Sequence, residues 1–346
     1  MMTLSIFRIK TARLAAIAAA LGAAILLSLP VVAEETENSA RDILKAVVRV
    51  HATIPSDART APGLGTEREG SGILIDNEGL VLTIGYLILE ANGAEITTAD
   101  GKTIPAAIVG YDHNTGFGLL RASRQTGVKP ALLGDSENLK TGSSVLAVSF
   151  EGVKPLVPAR VTDRRTFAGY WEYLLDDAIF ISPPHLQYGG AALFDANGTL
   201  VGVGSLFVND AEIKDRPVPG NMFVPINGLK PILQDLLEHG RHQTPSHPWL
   251  GVYTNEMEGR VFITRTAPGG PAERAGLQAG DVIMGVGGRR IRSLEDFYRK
   301  VWKNGDAGVE VTLDILRLQQ SQNLDIQQIT IQSLDRYDWL KLKPSY

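Results

Sequence analysis

The 346-residue chain contains no cysteine. Disulfides, thiolate nucleophiles, iron–sulfur clusters and cysteine-ligated zinc are thereby excluded. Histidine is scarce, with His51, His113, His185, His239, His242 and His247 making up the whole complement. These six and the carboxylates are the strong acid–base groups available near neutral pH. Basic charge is also short, with 34 Lys and Arg against 38 Asp and Glu, a formal net charge of -4. An acidic chain without a Lys/Arg cluster is a poor candidate for binding nucleic acid. Long apolar runs are limited to Leu14–Leu29, short of the roughly 20 residues that span a bilayer. Arg8, Lys10 and Arg13 precede that run and Val31-Val32-Ala33 follows it, the pattern of a signal peptide over residues 1–33 cleaved after Ala33. An uncleaved inner-membrane anchor is the alternative. Cleavage leaves 31 basic against 38 acidic side chains. For a bacterial chain the compartment is the periplasm, where a protein without cysteine is indifferent to oxidants.

What the sequence does contain is β-rich. From Ser71 to about Phe207, short runs of β-branched and apolar residues alternate with turn residues, as in an all-β barrel or sandwich. Ser71-Gly-Ile-Leu-Ile, a turn at Asp76–Gly79 and the return Leu80-Val-Leu-Thr83 form the clearest hairpin. Further strands are expected at 94–98, 103–110, 117–122, 144–148, 156–162, 178–181, 191–194 and 200–207, with turns at Asp100-Gly101 and Asn197-Gly198. Asp42–Val50 reads as a short amphipathic helix or entry segment, and Thr53–Glu69 as a surface loop. A helix over Asn227–His239 places Leu229, Ile232, Leu233, Leu236 and Leu237 at helical spacing and ends before Gly240. This bounds a first domain at 34–240, followed by a polar linker at 241–248.

A module over residues 249–334 follows, with a C-terminal tail at 335–346 that shows no clear element. Strands are expected at 249–253, 260–264, 282–286 and 309–316, with helices at Pro271–Ala275 and Leu294–Trp302. Ser293 supplies an N-cap ahead of two first-turn carboxylates.

Pro248-Trp-Leu-Gly-Val252, Ala267-Pro-Gly-Gly-Pro-Ala-Glu-Arg-Ala-Gly-Leu277, Ala279-Gly-Asp-Val-Ile283, Gly287-Gly-Arg-Arg-Ile291 and Ser293-Leu-Glu-Asp-Phe297 together resemble a PDZ domain. Such a module captures an extended peptide at a sheet edge and holds a terminal carboxylate on backbone N–H groups. The resemblance assigns that loop to Trp249, Leu250, Gly251 and Val252, and the apolar groove to Phe297 and Val301.

The preceding domain carries Gly70-Ser-Gly-Ile-Leu-Ile-Asp76, Val81-Leu-Thr83, Gly110-Tyr-Asp-His-Asn-Thr115, Leu133-Gly-Asp-Ser136, Gly189-Gly190, Asn197-Gly-Thr-Leu-Val-Gly202 and Met222-Phe-Val-Pro-Ile-Asn227. In that order, and with a PDZ module following, it resembles the trypsin-like double β-barrel of HtrA (DegP-like) serine proteases. The implied fold is mainly β: a chymotrypsin/trypsin-like double β-barrel, then an α+β PDZ domain.

A protease of this kind needs a serine nucleophile, a histidine base and a carboxylate that orients the histidine. The resemblance places the histidine slot three residues after Thr83, where Tyr86 stands. The aspartate slot falls on Gly116. The serine slot falls on Gly189, or on Tyr188 if one residue is inserted. A phenol with a pKa near 10 is an inefficient base at neutral pH, and glycine offers no side chain at all. His185, His113 and Ser182 lie near enough in sequence to invite a rebuilt pair, and His239, His242 and His247 to invite a metal; a solvated loop and a solvated linker are the expected settings instead. The resemblance thus implies an exported pseudoprotease without cofactor or metal. It would serve as scaffold, adaptor or chaperone in envelope protein quality control, with unfolded or C-terminal peptide segments of envelope proteins as partners and a homotrimer or a mixed assembly with an active relative as its form. The alternative is an active serine endopeptidase with a non-standard catalytic arrangement.

Overall fold

The computed structural model describes residues 43–150, 152, 154–213, 217–317 and 325–342. The leader expected over residues 1–33 lies outside the described residues. Two closed barrels and a smaller sheet follow one another along the chain. The first barrel contains β1 (Val47–Thr53), β2 (Glu67–Leu74), β3 (Leu80–Ile84), β4 (Gly93–Thr97), β5 (Thr103–Tyr111) and β6 (Phe117–Ala122), in the order β1-β2-β3-β6-β5-β4. The second contains β7 (Ser144–Val148), β8 (Leu156–Gly169), β9 (Tyr173–Ser182), β10 (Ala192–Phe194), β11 (Leu200–Glu212) and β12 (Val218–Pro225), in the order β10-β11-β12-β9-β8-β7. Closure leaves no strand edge in either sheet, so every ladder N–H and C=O can be paired.

The turns form for the reasons expected. Asp76 Oδ1 accepts from the N–H groups of Glu78 (2.9 Å) and Leu80 (2.7 Å), and Asp195 Oδ1 accepts from Asn197 and Thr199 in the same way. A short polar side chain bonded two to four residues ahead holds the chain in a turn.

Three local expectations need correction. Within Asp42–Val50, residues 43–45 are helical as expected, but from Val47 onward the chain is β1, whose alternating apolar residues complete the first barrel. The segment 53–69 contains a short helix, α1 (Ala61–Leu64), and the start of β2, because pairing with β1 carries the ladder back to Glu67. At the end of the second barrel, residues 226–228 form a 3₁₀ turn and the helix α2 runs only over Leu233–His239, ending with Gly240 at φ 71°. Of the five apolar residues at helical spacing, Leu229, Ile232 and Leu236 are buried, Leu233 is half-buried and Leu237 is exposed.

The largest departure is the β8–β9 hairpin. Strands were expected at 156–162 and 178–181, yet β8 and β9 continue to Gly169 and return from Tyr173. The extension projects beyond the barrel toward the last sheet.

That sheet comprises β13 (Val252–Met257), β14 (Arg260–Thr266), β15 (Val282–Val286), β16 (Arg289–Arg290), β17 (Glu310–Leu316) and β18 (Ile326–Gln332), with α3 (Pro271–Arg274) and α4 (Leu294–Trp302). β15 and β16 join through Gly287 and Gly288, both at positive φ, as a two-residue hairpin requires. Ser293 Oγ accepts from Asp296 N at 3.0 Å, the expected cap of α4. Leu250, Val261, Ile283, Phe297, Val301 and Leu313 build the core. β18 was not foreseen, because the adjacent Gln327 and Gln328 break the apolar alternation and, of its residues, only Ile331 is buried. The tail also holds structure. A helical turn, α5 (Arg336–Trp339), packs Trp339 on Trp249 at 4.9 Å between ring centroids, and Tyr337 Oη donates to Tyr111 O of the first barrel at 2.8 Å.

Candidate functional sites

Tyr86, Gly116 and Gly189 meet at the junction of the two barrels. Tyr86 sits on the 3₁₀ turn Gly85–Leu87 that ends β3, and Gly85 N donates to Gly116 O at 2.7 Å. Gly116 occupies the β5–β6 turn at φ +82°, where Asp112 Oδ2 accepts from both the N–H and the hydroxyl of Thr115. Gly189 precedes β10, and its carbonyl accepts from Ser71 N at 2.9 Å. A Cβ placed on Gly189 would lie 2.9 Å from Tyr86 Oη, with the next side-chain atom 3.8 Å away. The Tyr86 hydroxyl therefore takes the space into which a side chain at 189 would project.

That hydroxyl donates to Ser205 O at 3.0 Å. Burial, with a smaller contribution from neighbouring Tyr188, pushes its pKa above the ordinary phenol value, so Tyr86 is a neutral donor across the working pH range. At the third position, a Cβ on Gly116 would lie 3.4 Å from Tyr173 Oη, itself donating to Thr115 O at 2.7 Å. Tyr86, Gly116 and Tyr188 line a cavity of about 380 Å³ together with Tyr253, Arg265 and Trp339.

Of the histidines, His113 lines this cavity. His185, expected in a solvated loop, is 1% exposed. Its Nδ1 accepts from Gln187 N at 3.0 Å, its Nε2 faces Pro155 O at 3.2 Å, and Asn221 bonds both its backbone N–H and C=O. Desolvation lowers its pKa. His113 is packed between Tyr111 and Tyr337, with Nε2 2.5 Å from Tyr111 Oη, and burial depresses its pKa well below the usual imidazole value. Ser182 Oγ donates to Pro219 O. His239 faces Glu238, His242 faces Asp235 and Thr244, and His247 stacks on Trp302. Among the described residues no three His, Asp or Glu side chains converge as a metal site.

The second site lies on the last sheet. The N–H groups of Leu250, Gly251 and Val252 converge on one carboxylate, that of Glu172, at 2.8, 2.6 and 2.9 Å. Gly251 makes the convergence possible: it stands at φ +76°, and a Cβ there would press on Trp249, Ala267 and Pro271 at 3.2–3.4 Å. Trp249, grouped with this loop from the sequence, turns its N–H to Leu334 O at 3.0 Å instead. Phe297 and Val301 are each 1% exposed and share an apolar cluster with Leu250, Val252 and Leu174. Glu172 belongs to the β8–β9 tip, which sequence reasoning missed. A signal was present: Phe167, Tyr170, Trp171 and Tyr173 crowd seven residues, a density of aromatic surface that an exposed turn does not need.

Comparison with known proteins agrees with this architecture. Residues 70–203 match the family model "Trypsin-like peptidase domain" and residues 248–327 match "PDZ domain". The "Serine protease Do-like HtrA" of Bacillus subtilis is 26% identical over 278 residues, covering 72% of this chain and 60% of the relative. The "Probable periplasmic serine endoprotease DegP-like" of Bartonella henselae is 28% identical over 276 residues, covering 74% and 52%. The chain thus spans little more than half the length of these curated relatives. Among solved structures, the HtrA-type protease AlgW with a tripeptide superposes with a TM-score of 0.50 at 21% identity, over 89% of this chain and 98% of that one. With two barrels followed by a PDZ-like sheet, and with these matches over both, the chain is similar to HtrA/DegP-like serine proteases, pairing a trypsin-like domain with one PDZ domain.

Proposed function

We propose that this chain is a catalytically degenerate HtrA-like protein of the bacterial envelope, which binds peptide segments of other proteins without cleaving them. Tyr86, Gly116 and Gly189 stand in the slots of histidine, aspartate and serine. The observation that carries this reading is the 2.9 Å separation between Tyr86 Oη and the site of a Cβ on Gly189. The base and nucleophile slots are filled by one neutral phenol hydroxyl, already committed to Ser205 O. Acyl transfer needs a nucleophile whose proton can be taken by a nearby base, and this pair supplies neither. Tyr188, the other serine slot, is again a phenol. The Gln187 N–H, which borders the same turn, is spent on His185 Nδ1.

Binding is assigned to the PDZ module, through Leu250, Gly251 and Val252 as carboxylate hosts, with Trp249, Phe297 and Val301 around them. Partners are unfolded or C-terminal segments of envelope proteins, in the role of scaffold, adaptor or chaperone. Assembly as a homotrimer, or with an active relative, belongs to the same proposal. Relatives named as periplasmic endoproteases support the compartment, and the leader pattern over 1–33 supports export.

The competing function is serine endopeptidase activity by another arrangement, favoured by the protease names of the relatives. Incubation with unfolded casein and with a fluorophosphonate probe separates the two. The expected result is no cleavage and no specific label. Cleavage or labelling abolished by one Ser→Ala change establishes the endopeptidase instead.

A further inference from the structure

The PDZ carboxylate loop faces a carboxylate of its own chain. Glu172 closes the β8–β9 hairpin, is 9% exposed, and accepts from three successive PDZ amides. The neighbouring backbone is engaged as a bound peptide's would be: Thr254 N of β13 donates to Tyr170 O at 2.9 Å, and Tyr298 Oη of α4 donates to Gly169 O at 2.7 Å. Leu174 enters the apolar cluster of Leu250, Phe297 and Val301, and Arg299 of α4 reaches Asp176 at 2.5 Å. Carboxylate, strand-edge hydrogen bond and apolar side chain are all present, the elements by which an added strand is recognised.

The turn itself points the same way. Gly169 pairs with Tyr173, leaving residues 170–172 as the loop. In three-residue hairpin loops a left-handed residue is usually glycine; here Glu172 takes φ 56°. A non-glycine residue held in that region signals a constraint from elsewhere, and the three amides supply it.

We propose that the β8–β9 tip is a tethered ligand of the PDZ module, with Glu172 standing in for a C-terminal carboxylate and Leu174 for an apolar terminal side chain, so that an incoming C-terminus binds only by displacing it. The inference rests on the peptide-binding role proposed above. The partner it selects is a chain with a free C-terminal carboxylate and an apolar last residue, and apparent affinity is lowered by the fraction of molecules whose groove is self-filled.

The test uses the exported chain and its Glu172→Gln and Glu172→Gly variants; glycine suits the left-handed turn, so the hairpin survives while the carboxylate is lost. Two measurements are made. Amide hydrogen exchange reads Leu250, Gly251 and Val252 without added ligand. Fluorescence anisotropy reads binding of a labelled heptapeptide pool ending in free Val, Leu, Ile or Phe, and of its C-terminally amidated twin. The expected result is slow exchange in the native chain, at least tenfold faster exchange in both variants, and at least tenfold tighter binding of the free-carboxylate pool by the variants, with no binding of the amidated pool. Equal exchange in native and variant chains, or measurable binding of the free-carboxylate pool with equal affinity by native and variants, overturns the tether. Amides released in the variants with no binding of either pool leave the tether standing and remove the peptide-binding role.

Discussion

Gly189 and Tyr86 should be coupled through one oxygen atom. Gly189→Ala adds a Cβ 2.9 Å from Tyr86 Oη, inside van der Waals contact, with the next side-chain atom at 3.8 Å. Residue 189 is not among the glycines at positive φ, so the hydroxyl is the principal obstacle. Displacing it breaks the bond to Ser205 O and adds local strain, a cost of about 2–3 kcal/mol in total. Tyr86→Phe alone removes the bond and leaves the carbonyl without that donor, for about 1–2 kcal/mol. In the double variant the hydroxyl is gone and the methyl enters the vacated space, so the total should be close to that of Tyr86→Phe alone. The double-mutant cycle should therefore show a favourable coupling of about 2 kcal/mol. Urea unfolding of the four proteins measures it. The Gly189→Ala chain should melt roughly 5 °C lower, and adding Tyr86→Phe should recover about 1 kcal/mol of that loss, roughly 2 °C, instead of lowering the melting point further. Additivity within about 0.5 kcal/mol would refute the claim that the hydroxyl occupies the side-chain space at position 189.

Two further outcomes follow from other contacts. Burial raises the Glu172 carboxyl from its ordinary 4.5 to about 7, against the opposing pull of the three amides and Arg336. Around it stand Tyr298 of α4 and, lining an adjoining small cavity, Asp112, His113, His242, His247 and Asp335. Because the docked pKa exceeds that of the released side chain, docking takes up a proton; the latch gains strength as pH falls through 7 and loses it as pH rises. Native apparent affinity for the C-terminal peptide pool should be about tenfold weaker at pH 6 than at pH 8, with no such difference in Glu172→Gln, and a flat native profile contradicts the linkage. Trp339→Ala should cost about 3–5 kcal/mol by emptying the space beside Trp249. It also removes the donor to Pro268 O, so calorimetry should show the PDZ transition separating from the barrel transition; an unchanged single transition argues against the tail as a clasp.

The barrels and the PDZ sheet were legible in the sequence because their signals are local. Leu80–Ile84 and Leu200–Val203 read as strands from composition and flanking turns, and both are buried. Gly240, Ser293 and Asp76 mark element ends through bonds that span four residues or fewer. Motif order singled out Tyr86, Gly116 and Gly189, and the fold brings them to one junction. The misses have a common cause. Residues 163–169 and 173–177 have weak strand periodicity because the hairpin has lost its barrel and is covered by another module, and Arg336–Trp339 is a helical turn whose partners, Tyr111, Trp249 and Pro268, lie 71 or more residues away.

The sequence by itself determined the architecture, the absence of thiol chemistry and the residue types at positions 86, 116 and 189, since each depends on composition, short-range periodicity or order along the chain. Tertiary structure alone decided that the Tyr86 hydroxyl fills the side-chain space of residue 189 and that Glu172 lies on the amides of Leu250, Gly251 and Val252. Both are contacts between atoms 78 or more residues apart, and the energy that selects them arises only when folding removes water from both sides.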